Sequence, residues 1–230
     1  MELTGEQLKD AETQLRRHLP RSLLSQLRPC PGVGGHMATL HCDCLQTNAC
    51  AAISHRHLET FNAVASEKHV SSKKLAVCHM MILEDISKLP SVDSSGMSLG
   101  SLDESHVCCV SQTWKFANDD EAVGMIRNMI TNFPSCCVLD AQRRPVSWIL
   151  TYASCAMGML HTLPEHRGKG YAKVLISTMA KRLHTQEYPV YCFIEEENLV
   201  SYRLFKTMGF TEDPTYRQAW VAFNEQLSGW

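Results

Sequence analysis

The sequence predicts an α/β fold with a mixed central sheet flanked by helices, and three features carry that prediction. The first is segment 162–172, Thr-Leu-Pro-Glu-His-Arg-Gly-Lys-Gly-Tyr-Ala, which joins an apolar strand pattern to an amphipathic helix. The second is an apolar run, Pro189 to Ile194, followed by a helix that opens with Asn-x-x-Ser and closes before Gly209. The third is the alternation of strand and helix patterns from residue 97 onward.

The glycines of segment 162–172 indicate a site for an anion. Backbone N–H groups in the first turn of a helix have no intrahelical partner and carry the positive end of the helix dipole. They bind phosphate oxygens when small residues leave the backbone accessible, and Gly168, Gly170 and Ala172 meet that need. The alternative is a plain surface turn that carries an Arg and a Lys.

The two motifs together resemble the GCN5-related N-acetyltransferase fold. In that family an Arg-x-x-Gly-x-Gly/Ala turn holds the pyrophosphate of an acyl-CoA, and the backbone of the preceding strand binds the pantetheine arm. The resemblance therefore implies an acyl-CoA co-substrate and no permanently bound cofactor. The positions it assigns to acyl-CoA contacts are Leu160, Thr162, Leu163, Arg167, Gly168, Lys169, Gly170, Tyr171, Ala172, Asn198, Ser201 and Phe205.

A closer resemblance, to the glycine N-acyltransferase family, extends from about Leu99 to about Phe223. Its motifs are Thr131 to Asp140, Pro145-Val146-Ser147-Trp148 and Thr162 to Arg167. The segment Glu2 to Leu24 is also similar to that family's first helix, whereas the middle, Arg28 to Val70, is not. This resemblance implies transfer of an acyl group from acyl-CoA to the amine of glycine or another small amino acid. The mitochondrion is the location implied by the family, and the cytoplasm is the alternative.

The catalytic groups of the two families are missing at the matching positions. Relatives that conjugate glycine carry a glutamate base on a strand, where this chain has Ala156, so we expect a carboxylate restored there to raise turnover. Many acetyltransferases use a tyrosine acid where this chain has Phe205, and Tyr202 is a possible substitute. His161 is a candidate base, because histidine titrates near neutral pH, and a strand-end histidine bonded to the backbone is the alternative. The run 195–197 is expected to be a solvated strand end, with contact to the substrate amine as the alternative.

Three functions stay open at this point. The first is an acyl-CoA-dependent amino-acid N-acyltransferase with an altered base. The second is an acetyltransferase that acts on protein amines. The third is a non-catalytic acyl-CoA-binding module, which the absence of glutamate at position 156 and of tyrosine at position 205 would favour.

Composition argues against nucleic-acid-binding, membrane-spanning and secreted proteins. The 230 residues carry a formal net charge of −2, so we expect no nucleic-acid partner. No apolar run approaches the roughly 20 residues of a membrane span. The 11 cysteines are scattered and no secretory signal is evident, which favours a reducing compartment with most cysteines buried. We expect a monomer.

The chain divides into residues 1–96, an N-terminal helix plus an irregular, partly disordered region, and residues 97–230, the acyltransferase domain. The stretch from His36 to His57 is rich in His and Cys, but its spacing does not fit a zinc knuckle, so we expect no metal, and no local signature supports a nucleophilic Cys–His site. The predicted helices are 4–19, 103–115, 119–132, 168–185 and 198–208. The predicted strands are 97–102, 135–140, 145–152, 155–162 and 189–195, with two more near 210–213 and 216–223.

Overall fold

The computed structural model describes residues 49–67, 69–115 and 120–223. Five α-helices lie in these ranges: α1 (Leu58–Glu67), α2 (Val107–Thr113), α3 (Asp120–Asn132), α4 (Tyr171–Thr185) and α5 (Leu199–Thr207). The same ranges contain eight strands: β1 (Ala49–Ser54), β2 (Ser72–Ile82), β3 (Ser98–Gly100), β4 (Cys136–Leu139), β5 (Pro145–Thr151), β6 (Met157–Thr162), β7 (Tyr191–Glu195) and β8 (Thr211–Phe223). The predicted helix at residues 4–19 lies outside the described residues.

The chain forms two compact units, and the larger one spans Ala76–Gln218. Its strands lie in the order β8–β2–β7–β6–β5–β4–β3. The pairs β2–β7, β3–β4, β4–β5 and β5–β6 are antiparallel, while β6 and β7 run parallel. The predicted mixed sheet flanked by helices is therefore confirmed.

Each face of this sheet packs a separate group of apolar side chains. The α4 core, on one face, includes Met81, Ile149, Leu175, Met179, Cys192 and Phe205. The α3 core, on the other face, includes Val110, Ile126, Cys137, Trp148 and Leu150. The alternation along β5, where Trp148 and Leu150 face one core and Ile149 the other, follows from the two-residue period of a strand. All seven residues of β5 are buried, as expected for a strand covered on both faces.

Two element boundaries differ from the sequence prediction for identifiable reasons. Helix α4 begins at Tyr171 rather than at residue 168, because Gly168 and Gly170 have φ angles of +77° and +80°. Left-handed residues cannot continue a right-handed helix. The two strands predicted near residues 210–213 and 216–223 form one strand, β8, which continues through Pro214. There Asp213 accepts a hydrogen bond from the N–H of Thr215 over 2.8 Å.

The smaller unit comprises Met1–Leu75 and Ala219–Trp230. Residues 49–67, predicted to be irregular, form strand β1 and helix α1 instead. Ile53 and Ala65 are buried there against Ala219 and Val221 at the end of β8. The prediction failed for these residues because their apolar partners lie about 150 positions away, where a local pattern cannot show them.

The boundary predicted between residues 96 and 97 lies inside the larger unit. Strand β2 precedes that boundary, yet it pairs with β7 from Cys78↔Glu195 to Ile82↔Tyr191. The assignment of residues 97–230 as the whole acyltransferase domain remains a prediction, and strand β2 must accompany them for β7 to keep this neighbour. Within the described ranges, none of the helices is both long and apolar enough to cross a membrane.

Candidate functional site

The two parallel strands at the centre of the sheet separate after a single contact. Among the described residues, β6 and β7 form one pair, Met157↔Cys192, and no further pair follows toward their carboxyl ends. We call the resulting gap, between Leu160–Thr162 on β6 and Phe193–Glu195 on β7, the cleft. Backbone groups that line such a gap lack a strand partner across it and are free to bind an extended ligand.

An irregularity in β6 accompanies the separation. Met159 has a φ angle of +50°, and the register with β5 shifts between the pairs Trp148↔His161 and Leu150↔Gly158. A non-glycine residue with positive φ is uncommon and costs conformational energy. A bulge of this kind bends its strand and redirects the backbone groups that follow, so Met159 marks the place where β6 turns away from β7.

Hydrogen bonds to β5 decide which groups of β6 are available to the cleft. The N–H of Leu163 donates to Val146 O over 3.0 Å, so the expected contact from Leu163 N–H to pantetheine is not available. Backbone groups alternate between the two sides of a strand, and Leu160 and Thr162 therefore present theirs on the side opposite β5. Thr162 O accepts from Arg167 Nε over 3.0 Å. Leu160 N–H and Thr162 N–H remain as candidate donors.

The glycine turn, residues 167–171, connects the 3-10 helix Pro164–His166 to α4. Gly170 is the N-cap of α4, and its carbonyl accepts from the N–H groups of Lys173 and Val174. No described atom lies within 4 Å of a Cβ placed on either Gly168 or Gly170. These glycines are therefore required by their φ angles and not by crowding, and the turn is open on its outer side.

The charge around this turn is positive. Arg167, Lys169 and Lys173 are all exposed, and the first turn of α4 contains no acidic residue. The bond from Arg167 Nε to Thr162 O fixes the guanidinium beside the end of β6. An anion that binds to the helix start would meet these three cations as well as the helix dipole.

His161 lies on β6 and stacks against Trp148, with ring centroids 5.3 Å apart and an interplanar angle of 28°. Burial lowers the pKa of His161, and the positive charge of Arg167 lowers it further. Its backbone is held in place, because Ser147 Oγ donates to His161 O over 2.9 Å. A histidine in this setting is neutral at pH 7 and able to accept a proton.

The candidate site residues of α5 differ from one another in what their side chains contact. Asn198 is the N-cap of α5 and accepts a hydrogen bond from Ser201 N over 3.1 Å. Phe205 is buried in the α4 core, edge-on to Phe210 at 5.1 Å, so its side chain serves packing. Tyr202 donates its hydroxyl to Glu212 Oε2 over 2.7 Å. The contact of Asn198 and Ser201 with acyl-CoA stays a prediction.

Ala156 precedes β6 and is 1% exposed. Its carbonyl accepts from Tyr152 N over 2.9 Å, and Cys155 beside it has a φ angle of +66°. A carboxylate at this position would be enclosed in a tight turn rather than presented to the cleft. The expectation that glutamate at position 156 would act as a base therefore loses its physical support.

The acidic run 195–197, at the C-terminal end of β7, was expected to be solvated, but two of its three glutamates form ion pairs. Lys115, which follows α2, forms an ion pair with Glu195 Oε2. Glu196 Oε1 accepts from Arg217 Nε over 3.3 Å. Sequence patterns gave no sign of either pair, because Lys115 and Glu195 are 80 positions apart.

The described residues contain no group of three His, Cys, Asp or Glu side chains arranged to hold a metal ion. Most of the His- and Cys-rich stretch weighed for zinc lies outside them. Seven cysteines whose side chains the structure describes are thiols and not disulfides, and five of them, Cys78, Cys136, Cys137, Cys155 and Cys192, are buried.

Comparisons with known proteins agree with this architecture. Residues 123–221 match the family profile described as FR47-like protein. The chain is 28% identical to bovine glycine N-acyltransferase over 145 residues, which cover 60% of this chain and 49% of the relative. It is 29% identical to the mouse enzyme over 58% of this chain and 45% of the relative. Human glycine N-acyltransferase-like protein 1 is 28% identical over 59% and 45%, respectively. The chain thus spans about half the length of the curated relatives it matches.

Solved structures support the fold alone. A Drosophila protein superposes with a TM-score of 0.64 at 17% identity, covering 76% of this chain and 60% of that one. A GCN5-related N-acetyltransferase from Sphaerobacter thermophilus superposes with a TM-score of 0.53 at 15% identity, covering 80% and 62%. The chain thus has the GCN5-related N-acetyltransferase fold, and over about 60% of its length it is similar to glycine N-acyltransferases.

Proposed function

We propose that this protein is an acyltransferase that moves an acyl group from acyl-CoA to the amine of glycine or another small amino acid. The observation that carries the proposal is the cleft between β6 and β7, which opens beside a positively charged glycine turn. The relatives named glycine N-acyltransferase support the same class of reaction.

The pantetheine arm is an extended amide chain, and the cleft offers it backbone donors. Leu160 N–H and Thr162 N–H are the groups on β6 that we assign to it, since Leu163 N–H is already bonded to Val146. Such main-chain contacts resemble the addition of a strand to an open sheet edge. The thioester would then lie near the point where β6 and β7 separate.

The pyrophosphate is assigned to the glycine turn. Its oxygens would accept from the N–H groups at the start of α4, with Arg167, Lys169 and Lys173 nearby. Tyr171 and Ala172 contribute backbone N–H groups, because the first residues of a helix have no intrahelical acceptor. These contacts position the acyl-CoA but carry no information about the acyl chain.

The reaction requires a neutral amine beside the thioester carbonyl. The amine nitrogen forms a bond to the carbonyl carbon, the carbon–sulfur bond breaks, and CoA leaves as a thiol once its thiolate is protonated. The amine loses one proton in this step. We assign that proton to His161, whose neutral ring on β6 faces the α3 core side of the cleft, and the imidazolium so formed returns the proton to the departing thiolate.

A non-catalytic acyl-CoA-binding module is the second candidate. Three observations favour it: Ala156 is buried, Phe205 belongs to the core, and the hydroxyl of Tyr202 is bonded to Glu212. An acetyltransferase for protein amines has less support, because Glu195 and Glu196 are both paired with cations and do not form an open acidic groove. A mitochondrial location and a monomeric state remain predictions.

The proposal is tested by incubating the full chain with short, long and aromatic acyl-CoAs and a panel of amino acids. Formation of the N-acyl product is followed by mass spectrometry, and acyl-CoA binding is measured separately by calorimetry. Transfer to a small amino acid at a rate above the protein-free control supports the enzyme. Tight acyl-CoA binding without any product selects the binding module, and the absence of binding overturns both.

A further inference from the structure

Glu195 and His161 lie on the same face of the sheet, on opposite sides of the cleft. His161 pairs with Trp148, whose side chain belongs to the α3 core. On β7, Cys192 faces the α4 core, and Glu195, three residues later, therefore faces the opposite side. Met157 pairs with Cys192, so both strands reach these two residues after nearly the same distance. A ligand on the α3 side of the cleft would lie between His161 and Glu195.

The ammonium group of Lys115 lies beside Glu195 on this side of the cleft. Lys115 forms an ion pair with Glu195, although it belongs to the segment after α2. The Glu195 side chain is 28% exposed and Lys115 is 59% exposed. A carboxylate and an ammonium thus stand together on the side of the cleft where an acceptor would approach the thioester.

We propose, on the basis of the function proposed above, that Lys115 and Glu195 recognise the acceptor as an α-amino acid. Glu195 receives the ammonium of the acceptor, which passes one proton to solvent before it attacks as the neutral amine, and Lys115 receives its carboxylate. Both charges of the zwitterion then meet an opposite charge, and the amine is held opposite His161. A lysine side chain of a protein has no carboxylate beside its amine and would leave Lys115 without a new partner.

The energy of the existing pair allows this exchange. An ion pair that is open to solvent contributes little to stability, so separating Lys115 from Glu195 costs little. The bound zwitterion supplies an opposite charge to each partner, with charge-assisted hydrogen bonds that are stronger than neutral ones. Recognition of this kind selects acceptors that carry a free carboxylate next to the amine.

The test compares glycine with glycinamide, which keeps the amine but lacks the carboxylate. In Lys115→Gln we expect the KM for glycine to rise by about tenfold or more, as for the loss of a hydrogen bond to a charged group, while the KM for glycinamide changes by less than about twofold. Lys115→Arg keeps the charge and should retain most of the affinity for glycine. Glu195→Gln should lower kcat/KM for both acceptors, since both carry the ammonium.

A matched control is Arg127→Gln, which breaks the exposed ion pair with Glu104, 3.2 Å away, far along the chain from the cleft strands. It should change neither acceptor's KM. If Lys115→Gln leaves the glycine KM unchanged, or shifts both acceptors equally, the recognition by Lys115 is overturned while the acyltransferase stands. If the unmodified protein acylates neither acceptor, the proposed function is overturned and this inference falls with it.

Discussion

The hydroxyl of Tyr202 donates a hydrogen bond of 2.7 Å to Glu212 Oε2. Glu212 also lies 3.2 Å from His79 Nδ1 and 2.6 Å from Arg217 Nη2. The hydrogen bond to Glu212 is the main reason why the pKa of Tyr202 lies above its ordinary value. Tyr202 was considered above as a substitute for the acid missing at position 205. Its hydroxyl proton is instead donated to a carboxylate.

Removal of that hydroxyl is expected to affect folding and not chemistry. Tyr202→Phe should lower the free energy of unfolding by about 1 kcal/mol, the usual contribution of one hydrogen bond, and change kcat by less than about twofold. Urea unfolding and single-turnover acyl transfer measure the two effects. A loss of kcat by two orders of magnitude in a folded variant would show that Tyr202 protonates the leaving thiolate after all.

The glycine turn is expected to be sensitive to substitution at Gly170. Gly170→Val should weaken CoA binding by more than about tenfold, because a branched residue resists a φ of +80° and its side chain covers the backbone N–H groups. Gly96→Val is the matched control, since Gly96 has a φ of +75° and also has no described atom within 4 Å of its Cβ position. Calorimetry should find unchanged CoA affinity for the control; equal losses in both variants would contradict the assignment.

The protonation of His161 depends on Arg167. Burial and then the charge of Arg167 hold the pKa of His161 below its ordinary value of about 6.5, so the ring gains its proton at a lower pH than a free histidine does. Arg167→Gln removes one positive charge and should raise the pKa, whereas Arg167→Lys should leave it low. Titration of the His161 ring protons by NMR measures this without any turnover. A pKa that is unchanged in Arg167→Gln would exclude this coupling.

A glutamate at position 156 is expected to harm the protein rather than to restore a base. Ala156→Glu places a carboxylate where the native side chain is 1% exposed, which should cost more than about 2 kcal/mol of unfolding free energy. Ala153→Glu, in the exposed turn three residues earlier, should cost much less. Thermal melts compare the two variants, and a stable Ala156→Glu protein with faster turnover would show that the side chain reaches the cleft.

The described thiols are expected to differ in reactivity. Burial raises the pKa of Cys78 to about 12 and that of Cys137 to about 11, whereas Cys108 is exposed. Since the thiolate is the reactive form, iodoacetamide should modify Cys108 in the native protein and Cys78 and Cys137 after unfolding. Peptide mapping by mass spectrometry checks the order, and Cys108→Ser is the control. Labelling of Cys78 in the native state would contradict its burial.

Elements with local residue patterns could be predicted from the amino-acid sequence. The glycine turn, the helix that follows it and the Asn-x-x-Ser start of α5 depend on residues within one or two turns of each other, and all three are present. The predicted ends of strands β4 to β7 also lie within two residues of the observed ends, since the apolar runs of these strands are continuous or alternate. The resemblance to an acyltransferase family rests on these same segments.

Features that join distant positions of the chain could not be predicted in this way, because they arise from the fold. The separation of β6 from β7, the bulge at Met159 and the place of β2 beside β7 all depend on hydrogen bonds between strands. The same holds for Lys115 and Glu195, which are adjacent only in the folded chain. Local propensity carries no information about such pairs, because their energy comes from contacts that form after the chain has closed long loops.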